Sequence, residues 1–198
     1  MKRLLILALL TGTVLLSCSK KNSPQPTTPS TTVTINGTAY STAKIGRQTW
    51  TTVNYNGAGG VNFNNSTTNN ASNGKLYTLT EAQAIVLPTG WSLPTQDDYN
   101  TLLASSSALN LMGKTGWTVG GGTNTSGFNA LAVGYYDHSS FDGTGTDAVF
   151  LTSSTLISEA GMPASFDIYQ DNTGTGAVLT DIVVTATDRG SVRFVKNN

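Results

Sequence analysis

Three sets of side chains have the types and spacing that chemistry uses. Asp97 and Asp98 stand side by side in GWSLPTQDDYNTLL, and His138, the only histidine, follows Asp137 in GYYDHSSFDGTGTDAVF. Cys18 is the only cysteine. Paired carboxylates act as general acid and base when their surroundings separate the two pKa values. Here the local pattern predicts capping instead: Pro94 precedes Thr95, Asp98 lies three residues on, and Tyr99, Leu102 and Leu103 recur at helical spacing. Both carboxylates then meet the positive end of the helix dipole and are expected in solvent. The Asp137–His138 pair has neither a Gly-x-Ser-x-Gly elbow nor a His-rich metal pattern beside it, so it reads as a polar loop.

Cys18 has a context of its own. In MKRLLILALLTGTVLLSCSK, a basic Lys2-Arg3 start leads into an apolar run, Leu4 to Leu16. That run is shorter than the roughly 20 residues of a membrane-spanning helix. It reads as an export signal over residues 1–17. Leu15-Leu16-Ser17-Cys18 resembles the lipobox of bacterial lipoproteins, in which the cysteine carries lipid and becomes the mature N-terminus. A lipidated Cys18 leaves no thiol for a disulfide, a thiolate metal site or a nucleophile. Residues 18–32 are poor in apolar side chains and carry three prolines, the composition of an extended tether.

Residues 33–198 have the length of one domain. Charged residues make up 11% of the chain, with eleven basic against eleven acidic, and the formal net charge is zero. Nucleic-acid binding needs a basic surface to displace counterions, so that class is excluded. Solubility falls to Asn, Thr, Ser and Gly.

The elements that would position these groups follow from local pattern. TVTINGTAY places β-branched residues around Asn36-Gly37 and predicts a tight hairpin. Ile45 to Tyr55 alternates around Trp50 and reads as a strand, and Asn56 to Gly74 is a long polar loop. Thr80 and Gln83 have capping-box spacing for a first helix, and Thr95 opens a second. Strand-like runs follow at AVFLTSSTLI, ASFDIYQ, AVLTDIVVTAT and SVRFVK, separated by Gly-rich turns, so an α+β fold is expected. The last run, Ser191 to Lys196, is expected to pair with an early strand and close the domain.

The blocks IGRQTW, GKLYTLTEA, PTGWSLPTQDDYNTLL, GTNTSGFNALAVGYY, VFLTSS and RGSVRFVK occur in that order. Together they resemble the Fibrobacter succinogenes major paralogous domain family, over nearly the whole of residues 33–198. The resemblance implies a formylglycine-generating-enzyme-like member of the C-type-lectin-like architecture: two helices with small antiparallel sheets, extensive loops and neighbouring termini. It implies scaffold roles too. Trp91 and Leu93 would pack under the second helix, and Gly127-Phe128 would turn a loop into the core. Gly134 and Tyr135 would open a strand, while Val192 and Phe194 would face inward from the closing one. Leu151 and Phe194 depart from the Trp and Cys that relatives carry at those places.

Formylglycine-generating chemistry needs a cysteine pair that this chain lacks, so no catalytic residue, cofactor or metal is expected. Asp137, Asp142 and Asp147 fit no recognised calcium loop. The expectation is instead a non-enzymatic ligand-binding domain held to the membrane by lipid on Cys18. It would use Tyr136, His138, Phe141, Asp142 and Tyr169 to stack on and hydrogen-bond a glycan or protein. Its place would be the bacterial envelope, at the outer membrane, with Lys20 and Lys21 favouring the periplasmic face. Alternatives are a purely structural envelope lipoprotein, or the variable receptor of a diversity-generating retroelement with an exposed, diversified run from Phe166 to Asp181.

Overall fold

Asn36 and Gly37 turn the chain at φ of 48° and 81°, the left-handed pair that a two-residue hairpin needs. The expected hairpin is there: β1 (Thr31–Ile35) pairs antiparallel with β2 (Thr38–Ile45), and β3 (Gln48–Thr51) pairs with β2. The computed structural model describes residues 31–66, 71–155, 162–171, 173–174, 176–183 and 185–198, with side chains left out for 179–183. Residues 1–30, on which the expected export signal, Cys18 and most of the expected 18–32 tether fall, lie outside them, while Thr31 and Thr32 open β1. Among the described residues, no helix is long and apolar enough to cross a membrane.

The first sheet is completed by β12 (Val195–Asn197), which lies against β3 with Val195 opposite Trp50, so the chain's end does close on an early strand. The expected closing run is split, however. Its first part is β11 (Gly190–Ser191), which belongs to the second sheet, and Val192 to Phe194 cross from one sheet to the other. In spatial order the second sheet runs β10 (Gly176–Val183), β9 (Pro163–Gln170), β8 (Asp147–Thr155), β11, β5 (Lys75–Tyr77) and β4 (Val61–Asn62). A third sheet is the hairpin of β6 (Tyr135–Asp137) and β7 (Ser140–Asp142).

The α+β, lectin-like expectation with two helices beside small sheets is overturned. This fold is β-rich, with twelve strands and only three short helices among the described residues: α1 (Leu79–Gln83), α2 (Gln96–Ser105) and α3 (Ala108–Leu111). The helical signals in the sequence were start signals, and they open helices of only five and ten residues. The β-branched runs after residue 147 build strands of eight and nine residues that dominate the architecture. The strand read over Ile45 to Tyr55 is likewise cut to four residues, because Gly46 takes φ 59° and begins a turn.

Two aromatic cores result. One gathers Trp50, Tyr99, Phe128, Phe150 and Phe166, with Tyr99 stacked on Phe166 at 4.2 Å between centroids. The other gathers Tyr40, Tyr55, Tyr77, Leu93, Leu151 and Phe194. Phe128, Val192 and Phe194 are buried as expected. Trp91 and Leu93 join the second core, whereas the buried face of α2, Tyr99 and Leu102, belongs to the first.

The capping box on α2 forms as the spacing predicts. Asp98 accepts from the Thr95 amide at 2.8 Å, and the Thr95 hydroxyl accepts from the Asp98 amide at 3.1 Å. The expectation of solvation holds for Asp97 alone. Asp98 is buried, and its second oxygen takes hydrogen bonds from the side-chain amides of Gln48 and Asn197, which face each other on β3 and β12, tying the helix to that edge of the first sheet. On α1 the box is Thr78 with Glu81 rather than Thr80 with Gln83. The Glu81 carboxylate reaches the Thr78 amide at 2.8 Å and also takes a hydrogen bond from Gly60.

Asp98→Ala is expected to cost about 2–3 kcal/mol, the sum of the lost side-chain half of the capping box and the lost hydrogen bonds from Gln48 and Asn197. Asp97→Ala should stay within about 0.5 kcal/mol. Urea unfolding of the two variants beside the parent checks the contrast.

Candidate functional site

The β6–β7 hairpin carries most of the residues that the sequence singled out. Its register sets Tyr136 opposite Phe141 and Tyr135 opposite Asp142, so the alternation of a strand sends one pair to each face. On one face the rings of Tyr136 and Phe141 meet edge-on at 5.0 Å, and Phe63, from the polar loop, adds a third edge-on ring 6.2 Å from Phe141. All three rings stay partly exposed. Phe63 therefore covers one flank of the hairpin.

On the other face, the Tyr135 hydroxyl donates to Asp142 Oδ2 at 3.2 Å, while Asp142 Oδ1 accepts from the Gly143 amide at 2.7 Å. Burial, then the neighbouring Asp142 carboxylate, raises the Tyr135 pKa above its usual value, so the phenol stays a donor. Tyr135, Phe141, Asp142, Thr144, Thr146 and Asp147 take part in lining a polar cleft of about 360 Å³. A mainly apolar cavity of about 260 Å³ adjoins it through Thr144 and is walled by Phe63, Leu131 and Val133. Behind the cleft stands Asp167, 3% exposed, with Oδ1 lacking a hydrogen-bond partner. Burial, then the Asp147 carboxylate, pushes its carboxyl up to about 7.

At the hairpin tip, His138 occupies the left-handed region at φ 48°. Its Nδ1 pairs with Asp137 and lies 3.2 Å from Asp188 Oδ1. These contacts, the Asp137 hydrogen bond first, raise the imidazole pKa. Two backbone hydrogen bonds of 2.9 Å between Tyr136 and Arg189 hold the two segments together. The Arg189 guanidinium is anchored in turn on Glu81, whose carboxyl burial would raise; the Thr78 amide, Arg189 and the Gly60 amide outweigh burial and lower it.

Tyr136, His138, Phe141 and Asp142 share the one hairpin, Tyr136 and Phe141 on one face, Asp142 on the other and His138 at the tip. Tyr169 does not: it faces Asp147 across the β8–β9 register, half-buried, and is absent from the lining of both cavities. Of the described residues in the run Phe166 to Asp181, Phe166, Asp167, Ile168 and Gln170 are buried within β9, Asp171 and Thr173 are exposed, and Ala177 and Val178 of β10 are half-buried. Sequence reasoning missed Phe63, Asp167 and Asp188. Asp167 left a signal, a carboxylate within the apolar alternation of SFDIYQ.

A β-rich scaffold with a ring-and-carboxylate hairpin is a class described by shape alone. Comparison with known proteins narrows it: the Fibrobacter succinogenes major domain matches residues 36–196, from the first hairpin turn to β12, and the chain belongs to that family. No curated protein and no solved structure matches it.

Proposed function

We propose that this chain is a non-enzymatic binding protein of the bacterial cell envelope, anchored by lipid on Cys18, whose β6–β7 hairpin grips a glycan or a protein segment. The observation that carries the reading is the hairpin's division of labour. One face offers the rings of Tyr136 and Phe141, with Phe63 packed beside them, and the other offers Asp142 and the Tyr135 hydroxyl to a cleft that Phe141 and Asp147 of β8 also line. Apolar ring faces stack on aromatics while hydroxyls donate to carboxylates, the pairing that a sugar or a tyrosine-bearing loop can use. Such sites sit on loops and hairpins displayed by a rigid scaffold. The basic start, short apolar run and lipobox-like Cys18 support the anchor, and Lys20-Lys21 supports a periplasmic-facing position at the outer membrane.

A glycan and envelope-protein screen of the chain lacking residues 1–18 tests the binding. Tyr136→Ala and Phe141→Ala should each weaken binding by about tenfold or more, as buried aromatic anchors do, with the fold unchanged by circular dichroism. Full binding in both variants would place the ligand elsewhere. Mass spectrometry of the membrane-extracted protein tests the anchor, with diacylglyceryl on Cys18 expected and a free thiol there refuting it.

A further inference from the structure

We propose that Asp137, His138 and Asp188 form a binding site for a divalent transition-metal ion, with His138 Nδ1 and one oxygen of each carboxylate as ligands. The three ligand atoms all lie within 4.8 Å of one another. Small side-chain rotations would therefore bring each to the ~2.0–2.2 Å that zinc takes from nitrogen and oxygen donors. One imidazole with two carboxylates suits zinc and its neighbours in the first transition row rather than calcium or magnesium, which take oxygen alone.

Hydrogen-bond counting points the same way. Nδ1 carries at most one hydrogen, yet two carboxylates converge on it. Asp137 takes that hydrogen. Asp188 Oδ1, 3.2 Å away, has no solvent-accessible surface and no hydrogen-bond partner among the described residues. A buried carboxylate oxygen left in this way is costly, and a cation shared by all three groups satisfies it.

The ligands are also held in place before any ion arrives. Asp188 Oδ2 accepts from the Thr185 amide at 2.7 Å, which fixes the orientation of the carboxylate. The paired backbone bonds between Tyr136 and Arg189 fix the spacing between the hairpin tip and the segment that leads into β11. His138 and Asp137 remain more than half exposed, so water would complete the coordination. A bound ion would clasp the hairpin tip to the second sheet. The site does not rest on the ligand-binding reading above, and its test involves the metal alone.

Because His138 is the only histidine, its ring nitrogens report this site without ambiguity. Titrating Zn²⁺ into the chain lacking residues 1–18 at neutral pH, followed by ¹⁵N NMR of the imidazole and by calorimetry, should show one saturable equivalent at micromolar zinc and displaced ring resonances. His138→Gln should abolish it. Asp188→Asn, and separately the more exposed Asp137→Asn, should weaken it by at least about tenfold, since even outer-sphere partners are worth that much. Circular dichroism confirms that each variant is folded. Ring nitrogens that respond to pH but not to micromolar zinc would overturn the proposal in favour of a simple imidazolium ion pair. Zinc binding retained in His138→Gln would overturn it as well.

Discussion

Arg193→Met is expected to lower the unfolding free energy by about 3–5 kcal/mol. Arg193 is 0% exposed, in the segment that crosses between the two sheets. Nε donates to Asn54 Oδ1 at 2.6 Å, Nη1 to the carbonyls of Thr51 and Phe128 at 2.8 Å each, and Nη2 to the Asn129 carbonyl at 3.0 Å. The guanidinium also lies over the Phe128 and Phe150 rings at 4.9 and 5.5 Å. No carboxylate is among these partners. Burial lowers its pKa to about 9, which still leaves it charged at neutral pH. Methionine keeps most of the volume but strands four acceptors. Lysine keeps the charge but has three donors on a point, not a planar fork, so Arg193→Lys should lose nearly as much. A domain of this size has about 5–15 kcal/mol in all, so the variant should be marginal at room temperature. Denaturant unfolding measures it, and a loss under about 1 kcal/mol would show that the network contributes little.

The second large effect has the opposite sign. Asp167→Asn is expected to stabilise the fold at pH ~8, by up to about 4 kcal/mol, and to change little near pH ~4. In the folded chain the Asp167 carboxyl titrates at about 7, raised by burial and then by Asp147. In the unfolded chain it titrates near ~3.9. Between these values the folded state holds a proton that the unfolded state has released. The stabilising contribution is therefore full below the lower value and is lost as pH rises through the upper one. Asparagine has the shape of the protonated acid and no charge to desolvate, so it removes this dependence. Urea midpoints of parent and variant across the interval check it, because other titrating groups cancel in the difference. A difference that stays flat with pH would contradict the picture of a buried Asp167 carboxyl that stays protonated in the folded chain.

Much of the local structure was legible. Asn36-Gly37, Thr95 with Asp98, and the strand-like runs AVFLTSSTLI and ASFDIYQ each act through neighbours a few residues away; the hairpin and capping box form, and the runs supply most of β8 (Asp147–Thr155) and β9 (Pro163–Gln170). The balance of the fold was not, because a capping signal marks where a helix starts and carries no information on its length. The choice of Thr78 over Thr80 on α1 rests on Gly60 and Arg189, which sequence spacing does not bring near. The candidate site divides in the same way. Tyr136, His138, Phe141 and Asp142 lie within seven residues and were visible as a block. Phe63, Asp167 and Asp188 reach it only through the sheet topology, and Tyr169, although opposite Asp147 in the β8–β9 register, is not among the residues lining the cleft.

The central claim is that the β6–β7 hairpin is the face that meets the ligand. Amide hydrogen exchange, with and without a saturating glycan or envelope protein returned by the screen, tests it most directly. The account predicts slowed exchange across residues 135–142 and around Phe63, with β1 to β3 unchanged. Protection elsewhere, with residues 135–142 exchanging as in the free chain, would contradict it.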